Sequence, residues 1–372
     1  MREGWTYKKL GEVATFMSGY TPDKDNVLSH GDYPYYKVAE MNMPGNELYM
    51  RNTSFFVNSP KKVFPKDSIV FPKNGGAIYT EKKRILEYNS VIDLNTEALV
   101  PNNNVALMYL FYYLTFSKIS KFDKGGGLPS LDLKKMSDSL IPIPPLSEQQ
   151  AIVSRLDAAF AKIDALKANA EKQLAEARAL FQKALTEAMT PKDAWEKKRL
   201  KKLAAKLFAG GDVPKESFSK TQTPQYCIPI VSNGIENNGL YGYTEFARVN
   251  EPAVTISGRG TIGYIVERKS PFFPIIRLIT IIPHLEIIGT RFLYYALRNI
   301  DFSHSGSSIP QLTVPMVKDL EILLPPLSEQ QAIVSRLDAL SENVRRYEEI
   351  QRKTITECDA LKQALLREIF EE

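Results

Sequence analysis

At 372 residues, 44% hydrophobic and 24% charged, the chain has ordinary globular composition with room for two or three domains, which excludes a fibre or a disordered protein. Its most apolar stretch, 275–288, is broken by Arg277, Pro283, His284 and Glu286, short of the roughly 18 uninterrupted apolar residues a membrane span needs, and the N-terminus lacks a signal-peptide core. A cytoplasmic protein with no membrane partner is expected.

The net charge of +5 is unevenly spread: basic residues exceed acidic by three in 1–143 and by five in 191–324, balance in 144–190, and fall three short in 325–372. Basic excess gathered on two segments favours a polyanionic partner.

Residues 1–143 read as an α+β unit. Runs such as Ser68–Phe71 and Ala77–Tyr79, bounded by Gly, Pro and Asn, have the composition of strands in a twisted antiparallel sheet, and Val105–Phe116, rich in Tyr, Leu and Phe, reads as a helix packed on it. Polar loops between strands are the candidate recognition surfaces. Lys73 and Asn74, ahead of Gly75-Gly76, and Lys82, Lys83 and Arg84 flank one apolar run, and Lys124 opens a flexible triglycine loop. Arg and Asn make bidentate contacts with guanine and adenine edges, and loop lysines position the backbone.

Residues 144–190 read as a helical spacer. Pro145 ends the extended chain, and Ser147 with Gln150 three residues on has the form of a capping box. Ile152, Leu156, Ile163, Leu166, Leu174 and Phe181, with Ala159, Ala170 and Ala177 between them, then fall at spacings of three and four on one apolar seam. With no Gly or Pro across 147–190, a single helix of about 65 Å is expected at about 1.5 Å per residue.

Residues 191–324 repeat the α+β pattern, with strands at Ala253–Ser257, Ile262–Val266 and Leu278–Ile282 and a helix at Thr290–Asn299. The candidate contacts here are Ser232, Asn233, Arg259, Arg268 and Lys269, with Ser307 and Gln311 around the Ser-Gly-Ser-Ser loop. Residues 325–372 read as a second helical spacer whose seam holds Ile333, Leu337, Leu340, Val344, Leu361 and Leu365, along with Tyr347, Ile350 and Cys358. Antiparallel pairing of the two spacers is the simplest closure, because 191–324 must fit between them.

The chain carries an internal duplication. Fifteen identical residues occur at Pro144–Ala158 and again at Pro325–Ala339. Trp5-x-x-Lys8-x-Leu10 parallels Trp195-x-x-Lys198-x-Leu200, Leu128-Pro129-Ser130-Leu131 parallels Ile309-Pro310-Gln311-Leu312, and Phe111-Tyr112-Tyr113-Leu114 is set against Phe292-Leu293-Tyr294-Tyr295. A shared frame with divergent loops is the pattern of two related readers.

Catalytic signatures are missing. Gly258 to Gly263 spells G-x-G-x-x-G, but Tyr264-Ile265-Val266 continues as strand where a dinucleotide site needs a helix, so a tight strand–turn–strand is expected. There is no phosphate-binding loop with Gly-Lys-Ser/Thr, no G-x-S-x-G elbow, and no Asn/Asp-Pro-Pro-aromatic motif of an amino-methylase. Cys227, Cys358 and three scattered histidines give no metal-ligand spacing, so no metal site is expected.

The doubled Pro-Pro-Leu-Ser-Glu-Gln-Gln word opening a long helix, each copy closing a variable α+β unit that begins near Trp-x-x-Lys-x-Leu, closely resembles the specificity (S) subunit of type I restriction–modification systems. The resemblance covers nearly the whole chain. It implies an α+β protein with two target recognition domains, 1–143 and 191–324, separated by an antiparallel coiled coil of two conserved helices and related by a pseudo-twofold axis. It also implies that the domains read a bipartite, asymmetric site in double-stranded DNA while the helices set the unread spacer. No catalytic residue is implied: two methylation (M) subunits would use S-adenosylmethionine, and restriction (R) subunits ATP and Mg²⁺, with no cofactor on this chain.

Overall fold

The first β-rich segment closes its own ends: β1 (Thr6–Lys9), β2 (Ala14–Ser18), β3 (Tyr49–Met50), β4 (Ile69–Pro72), β5 (Arg84–Leu86), β6 (Thr96–Pro101), α1 (Leu107–Ser117) and β7 (Leu140–Ile143) lead into the long helix α2 (Leu146–Ala188). The computed structural model describes residues 4–192, 194–269, 271–302 and 311–371. Two compact units emerge, 1–170 with 353–372, and 171–352, so each combines a β-rich body with part of both long helices.

In the first unit β1 pairs antiparallel with β7, and a five-stranded sheet runs β2-β6-β4-β5-β3. All its pairings are antiparallel except β3 with β5. Strand β4 is apolar throughout because it is covered on both faces: Ile69 and Phe71 join the cluster around α1, and Val70 joins Tyr36, Phe64 and Ile92 on the other side. A side sheet places Tyr33–Tyr36 between antiparallel Phe56–Val57 and parallel Val91–Ile92.

The second unit repeats this plan with β8 (Glu196–Arg199), β9 (Ala204–Ala209), β10 (Ala253–Ile256), β11 (Ile265–Arg268), β12 (Ile279–Pro283), α3 (Thr290–Arg298), β13 (Glu321–Leu324) and α4 (Leu327–Phe370). Strand β8 pairs with β13, and the sheet runs β9-β12-β10-β11, the order of the first four strands of its counterpart. Its side sheet places Ile228–Val231 between antiparallel Leu240–Thr244 and parallel Phe273–Pro274.

Three expected elements differ, the first being the strand expected at Ile262–Val266, which begins only at Ile265 and runs to Arg268 because Gly258–Gly263 is taken up by the turn. Ala77–Tyr79 is not a strand but lies in a 3₁₀ turn, Gly76–Thr80, bracketed by positive φ at Gly75 (77°) and Glu81 (54°); Ile78 is buried while Tyr79 faces solvent. The capping box Ser147…Gln150 does not form, since α2 begins one residue earlier and its first amides bond to the Pro145 carbonyl. Gly258–Gly263 is the expected strand–turn–strand, with the Ser257 amide on the Tyr264 carbonyl and the Gly263 amide on Ser257.

The duplicated word fastens each body to its helix. Trp5 Nε1 donates to Glu148 Oε1 at 2.8 Å, and Trp195 Nε1 to Glu329 Oε2 at 3.1 Å. Gln149 Oε1 accepts from the Ala106 amide at the start of α1 while its Nε2 reaches the carbonyls of Pro144 and Asn104; Gln330 does the same for Gly289, Pro325 and Ile287. Tyr112 donates to Asp157, and Tyr295 to Asp338. These pairs fix the alignment of the two body helices as Tyr112 on Tyr295, two residues away from the match of Phe111 to Phe292 that the letters suggest.

Within each unit α2 and α4 run antiparallel. In the first unit Arg155 pairs with Glu368, Asp164 with Lys362, and Lys167 with Asp359; in the second Arg178 pairs with Glu348, and Tyr347 donates to Gln173. Leu156, Ile163, Ala170, Phe181, Leu337, Cys358 and Ile369 are buried, with Ile152, Leu174, Ile333, Leu340, Val344 and Leu365 partly so. Leu166 (51% exposed) and Leu361 (50%) are not seam residues, nor is Ile350 (58%). Around them the inward position falls to Lys167 and Lys362, because an α-helix of 3.6 residues per turn drifts off a strict seven-residue repeat. The lysine stems cover the seam and their ammonium groups pair across it. Among the described residues no helix is long and apolar enough to cross a membrane.

Candidate nucleic-acid interface

Each unit builds a loop edge the same way. The Leu131 amide donates to the Lys73 carbonyl at 2.9 Å, and the Leu312 amide to the Gly258 carbonyl at 2.9 Å. The leucine that ends the X-Pro-X-Leu element is thereby tied in each unit to the loop that follows the central strand, β4 or β10. Asn74 and Arg259 occupy the equivalent next position.

The structure divides the candidate residues of the first unit. Lys73 turns inward, its Nζ 3.1 Å from Glu97 Oε2, where Ser18 Oγ also donates; the Glu97 side chain is 1% exposed. Lys83 is likewise a buried structural cation: it is 4% exposed and held 2.9 Å from Glu81 Oε2. Arg84 donates to the carbonyls of Lys83 and Met41, and its Nε is buried without a partner. Burial pushes the pKa of Lys83 down despite Glu81, and that of Arg84 as well. Asn74 is half-buried and donates to Asn95 Oδ1 at 3.4 Å. Lys82, bonded to Asn42, and Lys124 stay at the surface.

In the second unit Arg268 is structural: it donates to Thr255 Oγ1 and the Asn238 carbonyl, and burial lowers its pKa to about 10. Lys269 is exposed, 3.9 Å from Glu267. Arg259 is exposed and donates to the exposed Gln311 at 3.1 Å. Ser232 donates to the Asn233 carbonyl and anchors the loop to Gly239, where a Cβ would lie 2.2 Å from the Ser232 oxygen. Asn233 joins two other loops, accepting from the Gly258 amide at 2.9 Å and donating to the Ile276 carbonyl at 2.7 Å. Ser307 lies outside the described residues.

The sequence marks Arg277 only as a break in an apolar run and does not single out Ile276; both are exposed and at positive φ (49° for Ile276, 58° for Arg277). A β-branched residue in this region is an outlier. Nothing in the apolar run 275–288 marks a corner there; the signal is backbone geometry alone. Asn237 and Asn238, also at positive φ, are of a residue type that favours turns.

The comparisons with known proteins agree with this architecture. Residues 2–176 and 192–355 each match the type I restriction modification DNA specificity domain, and the chain belongs to that family. A putative type I specificity subunit of Mycoplasma pneumoniae, S.MpnORF507P, is 27% identical over 90% of this chain and 88% of its own length. The specificity subunit of the type I restriction enzyme MjaVIII of Methanocaldococcus jannaschii is 24% identical over 98% and 91%. Among solved structures, a chain from "Structural basis underlying complex assembly and conformational transition of the type I R-M system" superposes with a TM-score of 0.80 at 19% identity, covering 98% of this chain and 97% of the other. The HsdS subunit from Thermoanaerobacter tengcongensis gives 0.56 at 19% identity over 100% and 97%. Both likenesses are of fold.

Proposed function

We propose that the chain is the non-catalytic specificity subunit of a type I restriction–modification complex, in which each unit reads one half of a bipartite, asymmetric site in double-stranded DNA. Two M subunits then methylate adenine and R subunits cleave, under the direction of the site so read. S-adenosylmethionine, ATP and Mg²⁺ belong to those partners and the whole acts in the cytoplasm.

The observation that carries this reading is the doubled specificity domain over 2–176 and 192–355. Two bodies of one plan and different loops suit two different half-sites. The basic excess on the β-rich segments and the neutral to acidic helical segments supports a division between phosphate-facing and partner-facing surfaces.

The test is long-read methylome sequencing of cells that express this chain with its M subunits. The expected product is one two-part motif with a fixed unread spacer, absent when the chain is omitted. Methylation at a continuous motif, or the same methylation without the chain, refutes the reading.

A further inference from the structure

We propose that Asn233 is a positioning residue that joins the strained Ile276–Arg277 corner and the Gly258–Arg259 turn into one DNA-reading edge, with Arg277 and Arg259 as its specificity-determining side chains. The inference rests on the DNA-reading function proposed above and names the edge of the second unit that performs it.

The corner is held from three sides. The Ile276 amide donates to the Gly211 carbonyl at 2.8 Å and the Arg277 amide to Gly210 at 3.1 Å, while Asn233 Nδ2 takes the Ile276 carbonyl at 2.7 Å. Gly210 permits the approach, because a Cβ there would lie 2.7 Å from the Ile275 nitrogen. The other end of the same amide, Asn233 Oδ1, fixes Gly258. One side chain therefore sets the distance between two other loops.

The corner joins two core residues, Ile275 and Leu278, buried at 0% and 2%, through the Leu278 amide on the Ile275 carbonyl, yet the two side chains between them stay outside that core. Ile276 is 49% exposed and Ile235, two residues beyond Asn233, is 58% exposed. A loop needed only as a connection would carry Gly or Asn at such φ values at no steric cost. Two exposed non-glycine residues held at positive φ at the tip of a turn that the core anchors on both sides are characteristic of sites where a side chain is presented. Arg277 is exposed, and no ion pair is formed by it among the described residues. A guanidinium fork presented in this way matches the O6 and N7 acceptors of guanine in the major groove, and an isoleucine beside it suits a thymine methyl. Arg259, steadied by Gln311, stands on the turn that Asn233 fixes. Asn233 itself has both ends committed and acts through its neighbours.

The experiment is the methylome of cells expressing the M subunits with wild-type chain or with Arg277→Ala, Arg259→Ala, Asn233→Ala or Asn233→Asp, each purified chain also being checked by thermal melting. Arg277→Ala should relax one or two base positions in a single half-site, with discrimination there falling about tenfold or more. The other half-site and the spacer should not change. Asn233→Ala should relax positions in that same half-site, and Asn233→Asp, which keeps the acceptor for Gly258 but loses the donor to Ile276, should relax the positions set by Arg277 more than those set by Arg259. Should Arg277→Ala fail to fold, Arg277→Lys keeps the stem and charge without the fork and should show the same relaxation.

A wild-type motif at the wild-type methylated fraction in both arginine variants overturns the inference while leaving the function standing. Changes spread over both half-sites overturn it too. Absence of any two-part motif with the wild-type chain removes the function and the inference together.

Discussion

The indole Nε1 of Trp5 donates to Glu148 Oε1 at 2.8 Å, tying the residue just before the first strand of the body to the first turn of the long helix 143 residues later. Trp195 and Glu329 repeat the bond at 3.1 Å in the other unit. A neutral donor on a charged acceptor contributes about 1.5–3 kcal/mol when buried and less when partly exposed. Trp5→Phe keeps the apolar ring and removes the donor, so a loss of about 1–2 kcal/mol is expected in chemical denaturation. Glu148→Gln should cost less, since the amide oxygen still accepts. Equal, negligible effects would show the contact to be incidental.

Gln149 and Gln330 should be more costly to lose than either tryptophan bond. Both are nearly inaccessible, at 0% and 2% exposure, and each satisfies one amide and two carbonyls of the backbone. Replacement by Leu leaves those groups buried without partners, at about 1–3 kcal/mol for each unpaired group. Gln149→Leu should therefore destabilise the first unit by at least about 2 kcal/mol, and hydrogen exchange should locate the loss at the N-terminus of α1. Loss confined to α2 would contradict this role.

The division between legible and hidden features follows from where sequence pattern ends and long-range geometry begins. The two long helices were readable because 3.6-residue periodicity is local and uninterrupted. Within them, the choice of Lys167 over Leu166 for the seam was not, since it depends on accumulated helical drift against a partner surface. The duplicated word announces itself as a repeat, yet its purpose lies in Glu148, Gln149 and Asp157 reaching residues 43 to 143 positions away. Lys73, Lys83 and Arg268 have the sequence setting of solvent-facing cations; Glu97 and Asn238 reach Lys73 and Arg268 only in the folded unit, and Glu81, though two residues from Lys83, pairs with it in a buried place that local sequence does not show. The corner at Ile276 and Arg277 is hidden because neither is a residue type that signals positive φ.

Lys73 and Asn74 are adjacent and should behave differently. Removing one member of a buried ion pair leaves the other charge uncompensated, at about 3–5 kcal/mol. With Lys73 at 14% side-chain exposure and Glu97 at 1%, Lys73→Ala should fall near the lower end of that range, and the double variant Lys73→Met/Glu97→Gln should recover most of it. Asn74→Ala should change stability by less than about 0.5 kcal/mol. In the assembled complex Asn74→Ala should weaken DNA binding, measured by fluorescence anisotropy, without a drop in melting temperature.

Glu81 supplies an acid-sensitive restraint. Burial alone would raise its pKa, but hydrogen bonds from Ser120 and the charge of Lys83 outweigh it and hold the carboxyl below its usual value of 4.5. A carboxylate depressed in the folded state contributes stability that is complete above its unfolded pKa and is lost as pH falls through the folded one. Glu81 accepts the amides of Ile119 and Ser120 at 2.9 Å each. Protection factors of those two amides, corrected for intrinsic exchange, should be steady from pH 7 to about 5 and fall once pH drops below about 4. Glu81→Gln should abolish that step. An unaltered acid transition in this variant would assign the restraint elsewhere.

The seam between α2 and α4 makes the sharpest contrast, because residues of one type on one helix have opposite fates. Leu156 is 1% exposed and packs with Leu366 and Phe370 in the cluster that also holds α1, whereas Leu166, ten residues on, is 51% exposed. Truncating a buried leucine removes its transfer free energy and leaves a cavity, so Leu156→Ala should cost about 2–5 kcal/mol. Leu166→Ala removes little buried surface and gains slightly in helix propensity, so its effect should stay within about 0.5 kcal/mol. Lys167, though charged, should matter more than Leu166, since its stem covers the seam and its ammonium meets Asp359 at 2.8 Å. Urea denaturation of the three alanine variants therefore orders them Leu156, Lys167, Leu166 from most to least damaging. An order with Leu166 ahead of Lys167 would restore the strict seven-residue seam and require the helices to be rotated against each other.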